Sequence, residues 1–248
     1  MTQVASRKAP PVGTCIFCQT VGPLEREHLL AAWTRRQLHQ ILGTGNRRHR
    51  VFKGATDPRV THNWLNPVAT AWVRCVCAVC NHGWMKSLEE RVIGPLGSLM
   101  RNGLTIVPTS DAVRRDLAAW AFKTAAVGQE LPSNHIKPID LSARSYLYAR
   151  GDPPPNTVVW LSPSPELAFD AIIMMTSVGA ASVELGYFAQ IVVGRISLAV
   201  VGSFTGQPLP FQPANVHGVE AIEIWPNRPG WSRSPTLPTL RQSLRTPR

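Results

Sequence analysis

The chain has 248 residues, 44% hydrophobic and 17% charged, a balance that allows a sizeable core and excludes wholesale disorder. Its 26 lysines and arginines against 15 acids leave a formal charge of +11, which points to a polyanionic partner, nucleic acid first. Met1 to Pro11 is polar and basic with no apolar leader. The longest uncharged stretch, Ile196 to Val219, is broken by Gly202, Gly206, Pro208, Pro210 and Pro213, so the sequence reads as cytoplasmic without a membrane span.

Met1 to Thr14 is expected to be a flexible arm. Cys15-Ile-Phe-Cys18 follows, and Gly22-Pro23 marks a turn. Leu24 to Leu42 carries Glu27 and His28 near its start. Leu30, Trp33, Leu38, Ile41 and Leu42 then form an apolar stripe that predicts a short helix stopped by Gly43. Residues 43–66 are polar and read as an exposed loop. Its cluster Arg47-Arg48-His49-Arg50 offers Arg47, Arg48 and Arg50 to phosphates, with a solvated linker as the plain alternative.

Val68 to Val76 predicts a strand running into Cys77-Ala-Val-Cys80. A helix from about Gly83 to Val92 comes next, with Trp84, Leu88 and Val92 at helical spacing and Gly94-Pro95 as its stop. Ser110 and Asp111 announce a further helix, whose stripe of Val113, Leu117, Trp120, Thr124 and Val127 ends at Gly128. It reads as core and is given no chemistry. Beyond Ser145 the segments Tyr146–Ala149, Thr157–Leu161, Ala171–Thr176, Tyr187–Val193, Ile196–Phe204 and Val219–Trp225 read as strands. They predict a mostly antiparallel sheet of about five strands, with Gly194-Arg195 as a hairpin turn and the helix of 110–128 on one face. The Pro-, Arg- and Ser-rich residues 227–248 read as a disordered basic tail. The expected organisation is α+β, with a module at 1–95, an accessory domain at 96–226 and the tail.

The chemistry starts with sulfur. Two C-x₂-C units can close a tetrahedral zinc site with Cys15, Cys18, Cys77 and Cys80, a structural site with no open position. Cys75 is a third candidate for two places, and its plainer reading is a small buried hydrophobe. A zinc shared by the two pairs would bring Glu27 and His28 towards Asn81 and His82. Mg²⁺ favours oxygen, from Glu27 and Asn81, while His82 suits Mn²⁺ or Zn²⁺. His28 has the titration range of a general base. An adjacent acid and histidine carry little information alone; the flanking knuckles give the pair its weight.

These pieces resemble a known family. Cys15–Cys18, then Glu27-His28 with Trp33 five residues on, then Cys77 to Glu89 look like the zinc-containing HNH endonucleases of the ββα-metal fold, in bacterial or phage form. The likeness covers roughly residues 12–95 and continues more weakly through Trp120 to Ala125 and Ile224-Trp225-Pro226. It implies that His28 is the general base, Glu27 the first ligand of a catalytic Mg²⁺ or Mn²⁺, and Asn81 a further ligand. The implied activity is hydrolysis of nucleic-acid phosphodiesters, DNA first. Two features depart from the pattern. Ala31 and Ala32 stand where a proline is usual, and the central asparagine is missing, with Asn66 the nearest candidate. A catalytically degenerate nucleic-acid-binding protein, or a phage structural or assembly protein, is the alternative.

Overall fold

Polar strands framing the two cysteine pairs lead into long apolar helices, and these lead into one antiparallel sheet. A computed structural model describes residues 10–42, 49–52, 60–64, 71–105, 108, 110–132, 137–164, 172–180, 183–204 and 221–226. Among them the architecture is α+β, with four helices and antiparallel sheets. No described helix is long and apolar enough to cross a membrane.

Strand β1 (Val12–Thr14) pairs with β2 (Val21–His28), so the end of the expected flexible arm is ordered backbone. Gly22-Pro23 lies inside β2 rather than at a turn. The reversal falls instead on Gln19, whose φ of 62° puts it in the left-handed region. Glu27 and His28 therefore end a strand, and helix α1 (Ala32–Leu42) begins after them. Strands β3 (His49–Phe52) and β4 (Val60–Trp64) pair within the stretch expected to be a loop. Arg50 falls on β3, while Arg47, Arg48 and Asn66 lie outside the described residues. Strand β5 (Trp72–Cys77) pairs with β2 to complete a small sheet of order β1-β2-β5.

Helix α2 (Lys86–Asn102) runs straight through Gly94-Pro95, which was expected to stop it. Proline removes one helical hydrogen bond, yet the stripe of Leu88, Val92, Leu96, Leu99 and Met100 is buried on both sides of it. Packing outweighs the missing bond, and Gly103, at φ 65°, ends the helix. Helix α3 (Asp111–Gly128) starts after Ser110 as expected and is buried on all sides from Leu117 onward. A helix apolar all round belongs inside, and α3 lies between α2 and the large sheet.

Helix α4 (Leu141–Arg150) replaces the strand expected at Tyr146–Ala149. The Asp140 carboxylate accepts from the Ala143 N–H at 2.7 Å at its start, and Gly151 takes φ 74° at its end. The caps decide against the β propensity of the tyrosines. Strands β6 (Thr157–Pro163), β7 (Ile172–Ala180), β8 (Val183–Val193), β9 (Ile196–Ser203) and β10 (Ile222–Trp225) form the expected sheet in the order β10-β6-β9-β8-β7. The proposed division at residue 95 falls inside α2, and one apolar cluster runs from Phe17 through Trp120 to Leu198. Residues 227–248 lie outside the described chain.

The β8–β9 turn ties the sheet to α2. Gly194 has φ 59°, and the next residue, Arg195, donates its N–H to the Met100 carbonyl at 3.1 Å, satisfying one of the open acceptors at the helix end. A Cβ on Gly194 would stand 2.6 Å from that same oxygen. Gly194→Ala should therefore lower stability by at least about 1–2 kcal/mol, the left-handed penalty of a non-glycine residue. Equilibrium urea unfolding tests this, and a variant as stable as its parent would show that the turn need not sit on α2.

Candidate metal centre

Each cysteine pair occupies a turn built for it. In the first, the Cys15 N–H donates to the Thr20 carbonyl at 3.0 Å and the Gln19 N–H to the Cys15 carbonyl at 3.1 Å, folding the loop back on itself. In the second, Cys77 ends β5, Ala78–Cys80 makes one helical turn, and Asn81–Met85 widens around a kink at Gly83 before α2 begins. The β2–β5 pairing carries a bulge. Glu25 faces Val76 and Arg26 faces Arg74, leaving Cys75 as the extra residue. The Cys75 carbonyl accepts from Ile16 N–H at 2.9 Å, so the bulge fastens one knuckle to the strand of the other.

The sulfurs of Cys15, Cys18, Cys77 and Cys80 all lie within 4.8 Å of one another, with Cys18 and Cys77 3.5 Å apart. A tetrahedron of Zn–S bonds near 2.3 Å spaces its sulfurs by about 3.8 Å, so this donor set can hold a structural zinc. Cys75 is outside the cluster, and burial pushes its thiol well above the ordinary range. Burial also opposes ionisation of Cys18, but hydrogen bonds from Thr20 and the neighbouring thiols prevail and bring it down to about 6. Phe17, from inside the first knuckle, meets Trp84 edge-on at 5.1 Å, and Trp84 meets Tyr148 of α4 at 6.3 Å.

Glu27, Asn81 and His82 do not converge. Asn81 Nδ2 donates to Glu25 Oε2 at 3.0 Å, and His82 Nε2 lies 2.9 Å from the same oxygen. Glu25, two residues before Glu27, is thus the carboxylate that gathers the residues after the last cysteine. Glu27 turns instead to Lys123 of α3, whose ammonium is 3.3 Å from its Oε1 and 2.7 Å from Glu89 Oε1 on α2. Trp120 Nε1 donates to the same Glu89 oxygen at 2.9 Å, and Trp33 Nε1 to the other at 2.8 Å. Lys123 is 1% exposed. Burial alone would discharge it, but Glu89 first and Glu27 second hold its pKa above the ordinary lysine range. A lone lysine within the apolar run Leu117–Val127 was the available signal, since a buried charge requires a partner.

His28 lies on the other face of the strand from Glu27, because successive residues alternate. It is paired in register with Trp72, while Arg26 is paired with Arg74. Trp72 is 42% exposed, with the Arg26 guanidinium 4.4 Å from its ring centre and that of Arg74 at 5.9 Å. No family model, curated protein or solved structure matches the chain.

Two outcomes test this geometry. Protein purified without chelator should carry one zinc per chain by elemental analysis. Cys75→Ser should keep that ratio, and Cys80→Ser should lose both metal and fold; a folded, zinc-free Cys80→Ser protein would exclude a structural site. Lys123→Met should cost about 3–5 kcal/mol, because it strands two carboxylates, and adding Glu27→Gln and Glu89→Gln should recover part of the loss. Thermal unfolding of the two variants gives the comparison; a triple variant weaker than the single one would mean that the charges do not govern this contact.

Proposed function

We propose that the protein is a metal-dependent endonuclease, built on a zinc-stapled ββα unit, that hydrolyses nucleic-acid phosphodiesters, DNA first. The observation that carries this reading is the order β2, β5, α2 around the four cysteines, with Glu27-His28 as the last two residues of β2. The excess of positive charge supports a polyanionic substrate. In this reading the zinc is structural, and His28, at the end of the strand, takes a proton from the attacking water.

A divalent Mg²⁺ or Mn²⁺, when bound, would supply charge stabilisation at the leaving oxygen. Carboxylate, amide and imidazole groups of this chain would hold it. Glu27 would serve with one oxygen already held by the Lys123 ammonium. Among the described residues Glu25 pairs with no lysine or arginine and already gathers Asn81 and His82, so its donor set is the better suited to a cation. The balanced charge on Glu27 also favours a second reading, a zinc-stapled protein that binds nucleic acid without cutting it.

Incubation with plasmid and Mg²⁺ or Mn²⁺, beside a chelated control, separates the two. His28→Ala should slow cleavage by about 10²–10⁴-fold with zinc content unchanged. Glu25→Gln should raise the divalent-ion requirement more than Glu27→Gln does. Full activity in a folded His28→Ala protein would sink the mechanism. An inactive parent that still binds nucleic acid in a salt-sensitive manner would leave the binding reading in its place.

A further inference from the structure

The outer face of the β2–β5 pair carries two like charges whose repulsion is offset, among the described residues, only by cation–π contacts and one backbone hydrogen bond. Arg26 and Arg74 stand directly opposite each other across the two strands. Like charges in that position are destabilising. Among the described residues neither guanidinium pairs with a carboxylate; the Arg74 side chain donates to the Leu24 carbonyl at 3.0 Å, which fixes its direction. Both flank the ring of Trp72, which remains partly open to solvent on a strand whose next residue, Val73, is buried.

We propose that Arg26, Trp72 and Arg74 form a platform for an unpaired nucleic-acid strand, with bases stacked on the indole–guanidinium layer and phosphates taken by the two arginines. A partly exposed aromatic flanked by planar cations that no described carboxylate neutralises matches both halves of such a ligand. Every base has a flat π face, and guanidinium offers stacking and paired N–H donors at once. The register places Trp72 opposite His28, so a strand lying on the platform passes the end of β2 where hydrolysis is proposed. The inference rests on nucleic acid being the partner and does not require cleavage. It narrows the substrate from nucleic acid in general to single strands, frayed ends or bubbles.

The test measures binding by fluorescence anisotropy without divalent ion, using a labelled oligothymidylate of about a dozen nucleotides and an abasic oligomer of equal charge. The folded zinc protein should bind the oligothymidylate about 10-fold more tightly than the abasic strand. Trp72→Ala should erase that difference, Trp72→Phe should keep most of it, and Arg26→Gln with Arg74→Gln should flatten the salt slope by up to about 1.4, for two phosphate contacts on a single strand. Zinc content reports whether each variant is folded. Equal binding of the two oligomers, or an unchanged preference in Trp72→Ala, would overturn the platform while leaving the nuclease reading standing. No binding of either oligomer or of duplex would overturn both. Displacement of the oligothymidylate by polyglutamate at equal charge, lost in Trp72→Ala, would also overturn it and mark an acidic protein partner instead.

Discussion

A single ammonium group without access to water sets the geometry of the first half of this protein. Lys123 comes from the middle of α3, yet its partners are Glu27 at the end of β2 and Glu89 on α2, and Glu89 is further held by Trp33 of α1 and Trp120 of α3. Four elements are thereby keyed to one charge. Such a contact contributes little net stability compared with an apolar substitute, but it is costly to satisfy incompletely, so it penalises any other packing of these elements. The four clustered thiols lie on different parts of the chain, where the two knuckles meet at one end of β2 and β5. Between them the small sheet is clamped at both ends of β2.

The clamp separates what adjacency in the sequence suggested should act together. Glu27 and His28 are neighbours in the chain, but a strand sends neighbours to opposite faces. One joins the buried ionic network, and the other lies in register with Trp72 on the outer face. Asn81 and His82 find Glu25 instead. The likeness to HNH endonucleases rests on motif residues alone, and several of these, Trp33, Glu89, Trp120 and Lys123, meet inside the network rather than at an open site. Their spacing is thus accounted for by packing as well as by chemistry.

Much of the architecture was legible, for identifiable reasons. The two C-x₂-C units have a spacing with few other physical uses, and they meet. Helix α3 has an apolar run that begins soon after Ser110, although the Ser110 hydroxyl makes no capping hydrogen bond, and the strands of the large sheet are β-branched runs bounded by turns, so local preference and tertiary packing agree there. Where they disagree, the sequence misleads. In β2 the run Leu24-Glu25-Arg26-Glu27-His28 has no apolar alternation, because its inner face carries carboxylates that find buried or local partners. Pro95 is overruled by leucines on both sides of it, and the tyrosines of α4 by its two caps. The ionic network was hidden because its members are spread from Glu27 to Lys123, and no local rule relates them.

The extra residue in β5 has a consequence for how that strand can vary. In a regular strand, positions three apart face opposite ways, yet Val73 and Val76 are both buried, while Trp72 and Arg74 share the outer face. Cys75 makes this possible by resetting the phase of the strand halfway along. Its side chain is the replaceable part, while its carbonyl holds the Ile16 N–H of the first knuckle. Deleting residue 75 would leave a regular strand with every remaining partner kept, Val76 and Val73 inward and Arg74 and Trp72 outward, and would remove the carbonyl that holds the Ile16 N–H. The two halves of β5, one serving the sulfur cluster and one the outer face, thus keep their facing with or without the extra residue, and its loss would be felt in the seating of the first knuckle rather than in the sheet.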